Sequence, residues 1–243
     1  MIENTLMKMK QMNFYGMHRA CEAAIQSGDI YQQDTQQTLA TLIDNEWDER
    51  NNRKIERLIK AASFQYRASL EELRYEPERN LNKSQIQELG QCSFIERTEN
   101  ILVTGATGVG KSYLATAIGY QACIEGIKVK YFNCNKLLSM LKLSKLENTY
   151  LRELKKLETT KLLILDDFGL QTLDNKQDRI SLLEIIEDRQ SKGSIIIASQ
   201  LPVSKWFDII GDKTIADAIL DRLIHQSIRI ELKGESMRKK IKR

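Results

Sequence analysis

Eight consecutive residues, Gly105-Ala106-Thr107-Gly108-Val109-Gly110-Lys111-Ser112, have the glycine, lysine and hydroxyl spacing of a phosphate-binding loop. The glycines permit a tight turn whose backbone N–H groups point at the β- and γ-phosphates of a nucleotide. The Lys111 ammonium adds positive charge there, and the Ser112 hydroxyl can ligate Mg²⁺. We therefore predict that ATP and Mg²⁺ bind at residues Gly105 to Tyr113.

A predicted strand and a predicted helix flank this loop. The apolar run Ile101 to Thr104 precedes the loop and is typical of a buried strand. The stretch Tyr113 to Ile124 has apolar residues at helical spacing, so its positive N-terminal end faces the phosphates. Strand, loop and helix thus favour the same interpretation.

Two carboxylates follow the next strongly apolar run, Leu162 to Leu165. Asp166 is expected at the carboxyl end of that strand, beside the loop, where it can hold Mg²⁺ through the metal's water shell. Asp167 is expected on the γ-phosphate side, where it can orient the attacking water. These two residues predict that the nucleotide is hydrolysed as well as bound.

Beyond the loop, four further strand-like runs alternate with helical stretches, at residues 128–133, 162–166, 194–199 and 227–232. This alternation predicts an α/β fold with a mainly parallel five-stranded sheet and helices on both faces. Residues 2–75 instead lack proline and have helical apolar spacing. With Pro77 as a break, we expect a helical N-terminal domain over 1–77 and an ATPase domain over 78–243.

Composition limits the remaining possibilities. The chain has 243 residues, 42% of them hydrophobic, which is enough for a true core. It has no apolar run long enough to span a membrane and no signal-peptide pattern, so we expect a cytoplasmic protein without membrane contact. The four cysteines lack C-x-x-C spacing, which favours reduced, buried thiols over a zinc or redox site.

The net charge is +4, and the basic residues are concentrated in patches. One face of the predicted helix over residues 48–66 carries Arg50, Arg53, Lys54, Arg57 and Lys60. This face, and a basic tail over 229–243, suit the phosphates of a nucleic acid; a solvated surface is the alternative for each. Neither has aromatic interleaving, so little base reading is expected. A third basic cluster, over 142–156, has interspersed glutamates and is expected to form ion pairs.

Four motifs together resemble the AAA+ ATPases, and within them the DnaC/IstB branch of helicase loaders and transposition helper ATPases. They are the loop at 105–112, LLILDDFG at 162–169, IIIASQLP with a following Lys-Trp at 195–206, and GESMR at 234–238. The N-terminal segments YGMHRA at 15–20 and EWDERNNRK at 46–54 resemble the IstB side of the branch. The resemblance covers nearly the whole chain.

The resemblance implies roles for three further residues. Gln200 would be a polar sensor of the γ-phosphate, and Arg238 would be a second sensor. Arg222 matches the arginine finger, which acts in trans on a neighbour's nucleotide and so requires a homo-oligomer. Arg189 is a second candidate for that interface arginine.

Two departures from the family pattern affect these expectations. Asp167 stands where many members have the longer glutamate, which implies hydrolysis that is slow or stimulated by a partner. Only 43 residues follow Gln200, enough for a helix around 216–225, one strand and a terminal helix. The usual helical lid is therefore expected to be minimal.

The function implied is that of an ATP-dependent helper ATPase of transposition. It would oligomerise on double-stranded DNA with little sequence preference and deliver that target to an IstA-like transposase. One alternative is a DnaC-like helicase loader that touches single strands. Another is a nucleotide-gated interaction switch that hydrolyses little ATP.

Overall fold

The computed structural model describes residues 2–28, 34–225 and 227–237. By contacts between residues, the chain divides into two compact units, with the division between Arg57 and Leu58.

The first unit contains three helices: α1 (Ile2–Gln11), α2 (Tyr15–Ser27) and most of α3 (Thr35–Ala62). Phe14, at the N-terminus of α2, offers no side-chain cap. The buried Glu46 of α3 replaces it, because its carboxylate accepts hydrogen bonds from the N–H groups of Gly16 (2.8 Å) and Met17 (3.2 Å). The predicted helical character of the N-terminal region is confirmed.

The second unit is built on a five-stranded parallel sheet with the order β2-β3-β4-β1-β5. The strands are β1 (Asn100–Gly105), β2 (Val129–Asn133), β3 (Leu162–Phe168), β4 (Ser194–Ser199) and β5 (Ser227–Leu232). All five coincide closely with the predicted strands, and the predicted α/β fold class is confirmed. β1 lies between β4 and β5, so the loop that follows it opens at the carboxyl edge of the sheet.

Helices cover both faces of this sheet. They are α4 (Lys83–Gly90), α5 (Ser93–Glu96), α6 (Lys111–Ile124), α7 (Cys134–Leu146), α8 (Tyr150–Glu158), α9 (Lys176–Arg189), α10 (Trp206–Ile210) and α11 (Lys213–Ile224). On one face Val103 and Ile164 pack with Ile118 of α6. On the other, Leu163 packs with Leu182 of α9. The central strands are apolar at successive positions because both of their faces are buried.

Residues 58–77 pack on the sheet of the second unit, although we expected them in the N-terminal domain. Ala62 is fully buried and Leu73 is 7% exposed in the cluster that also holds Ile118, and Leu58 and Ile59 pack against that cluster. The boundary between compact units therefore lies twenty residues before the predicted one. Pro77 begins a short 3₁₀ turn, Pro77–Arg79, inside the second unit.

All four cysteines are buried and free of disulfides. Among the described helices, none combines the length and apolar character needed to cross a membrane.

Candidate nucleotide-binding site

The phosphate-binding loop joins β1 to α6 as predicted. Gly110 has a φ of 99°, a left-handed conformation that glycine adopts without strain, and α6 begins at the next residue. The Lys111 ammonium donates to the Ala106 carbonyl oxygen at 2.8 Å, and the residue is 7% exposed. The ammonium is therefore held over the loop, where phosphates are expected.

Asp166 lies against this loop at the end of β3. Its Oδ1 accepts from the Ser112 hydroxyl at 2.9 Å and from the Asp167 N–H at 2.9 Å. The Tyr131 hydroxyl donates to its Oδ2, and the residue is 3% exposed. A hydroxyl and a carboxylate oxygen at this separation are the hard oxygen ligands that Mg²⁺ prefers, so Ser112 and Asp166 fit the ion.

Asp167 is turned toward the same edge by an irregularity in β3. The pairing of β3 with β4 shifts register between Leu165 and Phe168, and Asp167 has a φ of 56°. Such a bulge re-aims a side chain that would otherwise point to the opposite face of the sheet. The amide of Asn133, at the end of β2, donates to Asp167 Oδ2 at 2.9 Å. The two aspartates are thus held beside the loop by different partners.

Of the two predicted sensors, Gln200 lies within the described residues and Arg238 does not. Gln200 follows β4, and its side-chain oxygen accepts from the Thr107 hydroxyl at 2.7 Å, which puts it at the loop. Arg238 and the rest of the tail from 238 onward lie outside the described residues. The residue before it, Met237, donates its N–H to the Gly108 carbonyl oxygen at 2.9 Å.

A cavity of about 350 Å³ opens beside Gly110. Leu73, Tyr113 and Met237 give it apolar walls. The Tyr113 hydroxyl donates to a Glu72 carboxylate oxygen at 2.6 Å, which fixes the ring at the cavity wall. The cavity therefore continues the phosphate loop with a surface suited to a base and sugar.

Arg222 is not at the loop of its own chain. Its carbonyl oxygen accepts from the Asn100 side chain at 3.3 Å, at the first residue of β1. The loop begins at the other end of that strand, about 16 Å away for five residues of extended chain. The Arg222 guanidinium is 2.9 Å from a Glu187 carboxylate oxygen, and its side chain is 27% exposed.

Arg189 is wrong as an interface arginine. It is 1% exposed, and its guanidinium donates to the carbonyl oxygens of Leu157, Thr160, Lys161 and Ser194. Burial lowers its pKa to about 10. Arg189 joins α8 to the starts of β3 and β4 and is not accessible to another subunit.

The basic face of α3 is partly neutralised within its own unit. Arg50 pairs with Glu46 at 2.6 Å and lies over the Phe14 ring. Arg53 pairs with Glu49 at 2.7 Å and lies over a tyrosine ring.

The other basic residues of α3 are more available. Lys54, Arg57 and Lys60 are exposed and form no ion pair with a carboxylate in the described part of the chain. Of the predicted nucleic-acid residues, these three present the least neutralised charge.

The basic cluster over 142–156 contains ion pairs, as expected. Lys156 pairs with Glu153 at 2.7 Å, and Lys155 pairs with Glu158 at 2.8 Å. Hydrogen bonds from Lys155 and Lys192 hold the pKa of Glu158 down at about 2.

The sequence did not single out three residues at the site: Tyr131, Asn133 and Arg79, whose guanidinium donates to the Val109 carbonyl oxygen of the loop at 3.0 Å. Asn133 had a usable signal, since a polar residue at the carboxyl end of a strand next to Asp166 belongs at this edge. Tyr131 and Arg79 had no such signal in the sequence. Tyrosine is common within strands and arginine is common in polar connectors, so neither position stands out.

Comparison with known proteins agrees with this geometry. A solved structure of AMPPCP-bound DnaA from Aquifex aeolicus superimposes with a TM-score of 0.60 at 20% identity, covering 74% of this chain and 54% of that one. The structure of a DnaC helicase loader gives 0.51 at 22% identity, covering 73% and 99%. These likenesses show the P-loop AAA+ fold.

Sequence relatives are closer. An insertion-sequence ATP-binding protein of Sinorhizobium fredii is 41% identical over 239 residues, which are 98% of this chain and 97% of the relative. The sequence model of the IstB-like ATP-binding proteins matches residues 7–243. The chain belongs to the family of IstB-like ATP-binding proteins.

Proposed function

We propose that this protein is a Mg²⁺-dependent ATPase that oligomerises on double-stranded DNA with little sequence preference and delivers that DNA to an IstA-like transposase. The observation that carries the proposal is the meeting of Lys111, Ser112, Asp166 and Asp167 at one edge of the sheet. Binding alone requires the first two; the two carboxylates add what hydrolysis requires.

The chain's own residues have distinct tasks in this proposal. The Lys111 ammonium exchanges the Ala106 carbonyl oxygen for phosphate oxygens. Asp167 accepts a hydrogen bond from the attacking water and orients it toward the γ-phosphate, while Gln200 contacts that phosphate from the end of β4. Mg²⁺, when held by Ser112 and Asp166, supplies positive charge to the phosphates. Arg238 is proposed as the second sensor.

The proposal of an oligomer rests on Arg222. Arg222 lies at the edge of the sheet opposite its own loop, where its backbone carbonyl oxygen accepts from Asn100 and its guanidinium pairs with Glu187, so its side chain does not reach that nucleotide. A neighbouring subunit can present the same side chain to this loop, and a guanidinium there would stabilise the charge that develops on the phosphates. The Glu187 pairing must open for this contact to form.

The DNA and transposase roles rest on the relative and on α3. The Sinorhizobium fredii relative is named as an insertion-sequence ATP-binding protein, and moving such a sequence joins a transposase to target DNA. Lys54, Arg57 and Lys60 offer backbone phosphates a row of charges, with Arg50 and Arg53 beside it. Since phosphate contacts carry no sequence information directly, this mode gives little site preference.

DNA binding can be tested by titrating duplex DNA at several salt concentrations with ATP, with ADP and with a non-hydrolysable analogue. We expect DNA to bind tightly in the presence of ATP or the analogue. In Lys111→Ala, the affinity for DNA should no longer depend on the nucleotide. Lys54→Ala with Lys60→Ala should lower affinity and reduce the slope of log K against log salt by about 2. The matched control, Lys155→Ala with Lys156→Ala, removes two paired lysines and should leave the slope unchanged. An unchanged slope in the α3 variant would place the DNA on another surface.

The helicase-loader alternative is supported by the DnaC likeness, which concerns the fold. Single-stranded DNA in the same titration separates the two functions, since a loader should prefer single strands. A nucleotide-gated switch would assemble with ATP but release no phosphate above background when DNA is present.

A further inference from the structure

Arg79 is a buried cation beside the phosphate-binding loop. It is 6% exposed. Its Nη1 donates to the Arg74 carbonyl oxygen at 2.7 Å, and its Nη2 donates to the Val109 carbonyl oxygen at 3.0 Å. A guanidinium has five N–H donors, so these two contacts leave most of its capacity unused.

No carboxylate lies within ion-pair distance of Arg79 in the described part of the chain. Glu72 lines the same cavity, but its carboxylate accepts from the Tyr113 hydroxyl. A buried charge without a counter-charge is costly. A ligand that brings negative charge into the cavity would remove that cost.

The place of Arg79 indicates which part of a nucleotide brings that charge. Its Nη2 would lie 2.9 Å from a Cβ on Gly110, so the guanidinium touches the loop where the cavity begins. The γ-phosphate end of ATP belongs at Asp166 and Asp167, on the other side of the loop. Following ATP away from that end, the α-phosphate is the group that reaches the mouth of the cavity.

We propose that Arg79 is a nucleotide-binding residue whose guanidinium contacts the α-phosphate, and that the site takes adenosine phosphates through this contact whatever their chain length. This inference rests on nucleotide binding at the loop and is independent of hydrolysis and DNA binding. The segment before the loop then contributes a ligand-binding group and is more than a connector.

The test is the affinity of the full chain for AMP, ADP and ATP, measured by calorimetry. Arg79→Gln keeps an N–H donor for Val109 but removes the charge. Because all three nucleotides share the α-phosphate, we expect each to bind about 10- to 100-fold more weakly, the effect of losing a charged hydrogen bond. Arg79→Lys should recover part of the affinity. Arg97→Gln removes an exposed arginine and should change nothing.

Two results would overturn the proposal. If Arg79→Gln weakened ADP and ATP but left AMP unchanged, Arg79 would serve only to shape the loop around the β-phosphate. If the variant did not fold, the wild-type protein would still decide: AMP must bind at least about 10-fold more tightly than adenosine, and equal affinities would exclude an α-phosphate contact. Either failure would leave the proposed ATPase intact, provided that ATP still binds.

Discussion

Asp167 joins a left-handed backbone to a carboxylate at the carboxyl edge of the sheet. Aspartate and asparagine adopt a φ near 56° more readily than other residues that carry a Cβ. Glutamate shares the charge but not this backbone preference. The shorter side chain, which the sequence marks as a departure from the family pattern, is therefore the one that suits the bulge in β3.

Asp167→Asn should separate ATP binding from hydrolysis. Asparagine tolerates the same backbone and keeps the side-chain size, but it lacks the negative charge of the carboxylate that is proposed to orient the attacking water. We expect ATP affinity close to that of the wild type and phosphate release slower by about 100-fold or more, measured in a single-turnover assay with DNA. Phosphate release as fast as that of the wild type would show that another residue orients the attacking water.

The first unit depends on a cap supplied by one helix to another. Gly16 makes this possible, since a Cβ there would lie 2.2 Å from the Asn45 carbonyl oxygen. The backbones of α2 and α3 thus meet closely enough for Glu46 to reach the first turn of α2. Burial of the Glu46 carboxylate opposes its ionisation, but hydrogen bonds from Arg50, Met17 and Gly16 outweigh burial and hold its pKa below the usual range.

This cap should make the first unit sensitive to pH. The pKa of Glu46 is lower in the folded protein than the unfolded value of about 4.3. Its contribution is therefore complete above that value and is lost as the pH falls through the folded pKa. Glu46→Gln should lower the free energy of unfolding by about 1 kcal/mol at pH 7 and speed amide hydrogen exchange in α2.

The differences in stability and in amide exchange of α2 between Glu46→Gln and the wild type should become smaller below about pH 4. Glu56→Gln, an exposed change on the same helix, is the control and should exchange like the wild type. A wild-type advantage that persisted undiminished at pH 3 would contradict the charge-dependent cap.

Most of the sheet was predictable, because β3 and β4 are buried on both faces and so consist of unbroken apolar runs. The position of the division between the two compact units could not be predicted. The amphipathic pattern of α3 marks Leu58 and Ile59 as buried, but periodicity does not say against which partner a helix packs. The bulge at Asp167 was also out of reach, since nothing in the residue types around it fixes a left-handed φ.

The position of Arg222 predicts complementation between the subunits of the proposed oligomer. If these residues have the proposed roles, Arg222→Ala lacks the finger and Asp167→Asn lacks the carboxylate that orients the water, so each protein alone should be nearly inactive. Mixed on DNA, they should recover part of the wild-type turnover, because some interfaces combine an intact Asp167 with an intact Arg222. A mixture as inactive as its components would argue that Arg222 does not act in trans.

The separation of the loop and Arg222 along β1 would also give every subunit of the proposed oligomer two unlike ends. In an open array, the subunit at one end would hold ATP without a neighbour's Arg222 beside it. At the other end, the Arg222 of the last subunit would have no neighbouring nucleotide to contact. An open array of n subunits then has n − 1 complete sites, whereas a closed ring has n. For an open array, ATP turnover per subunit would rise with the length of the array and then level off. For a closed ring, it would be constant. Enzyme kinetics on DNA of graded length would thus report the geometry of the assembly.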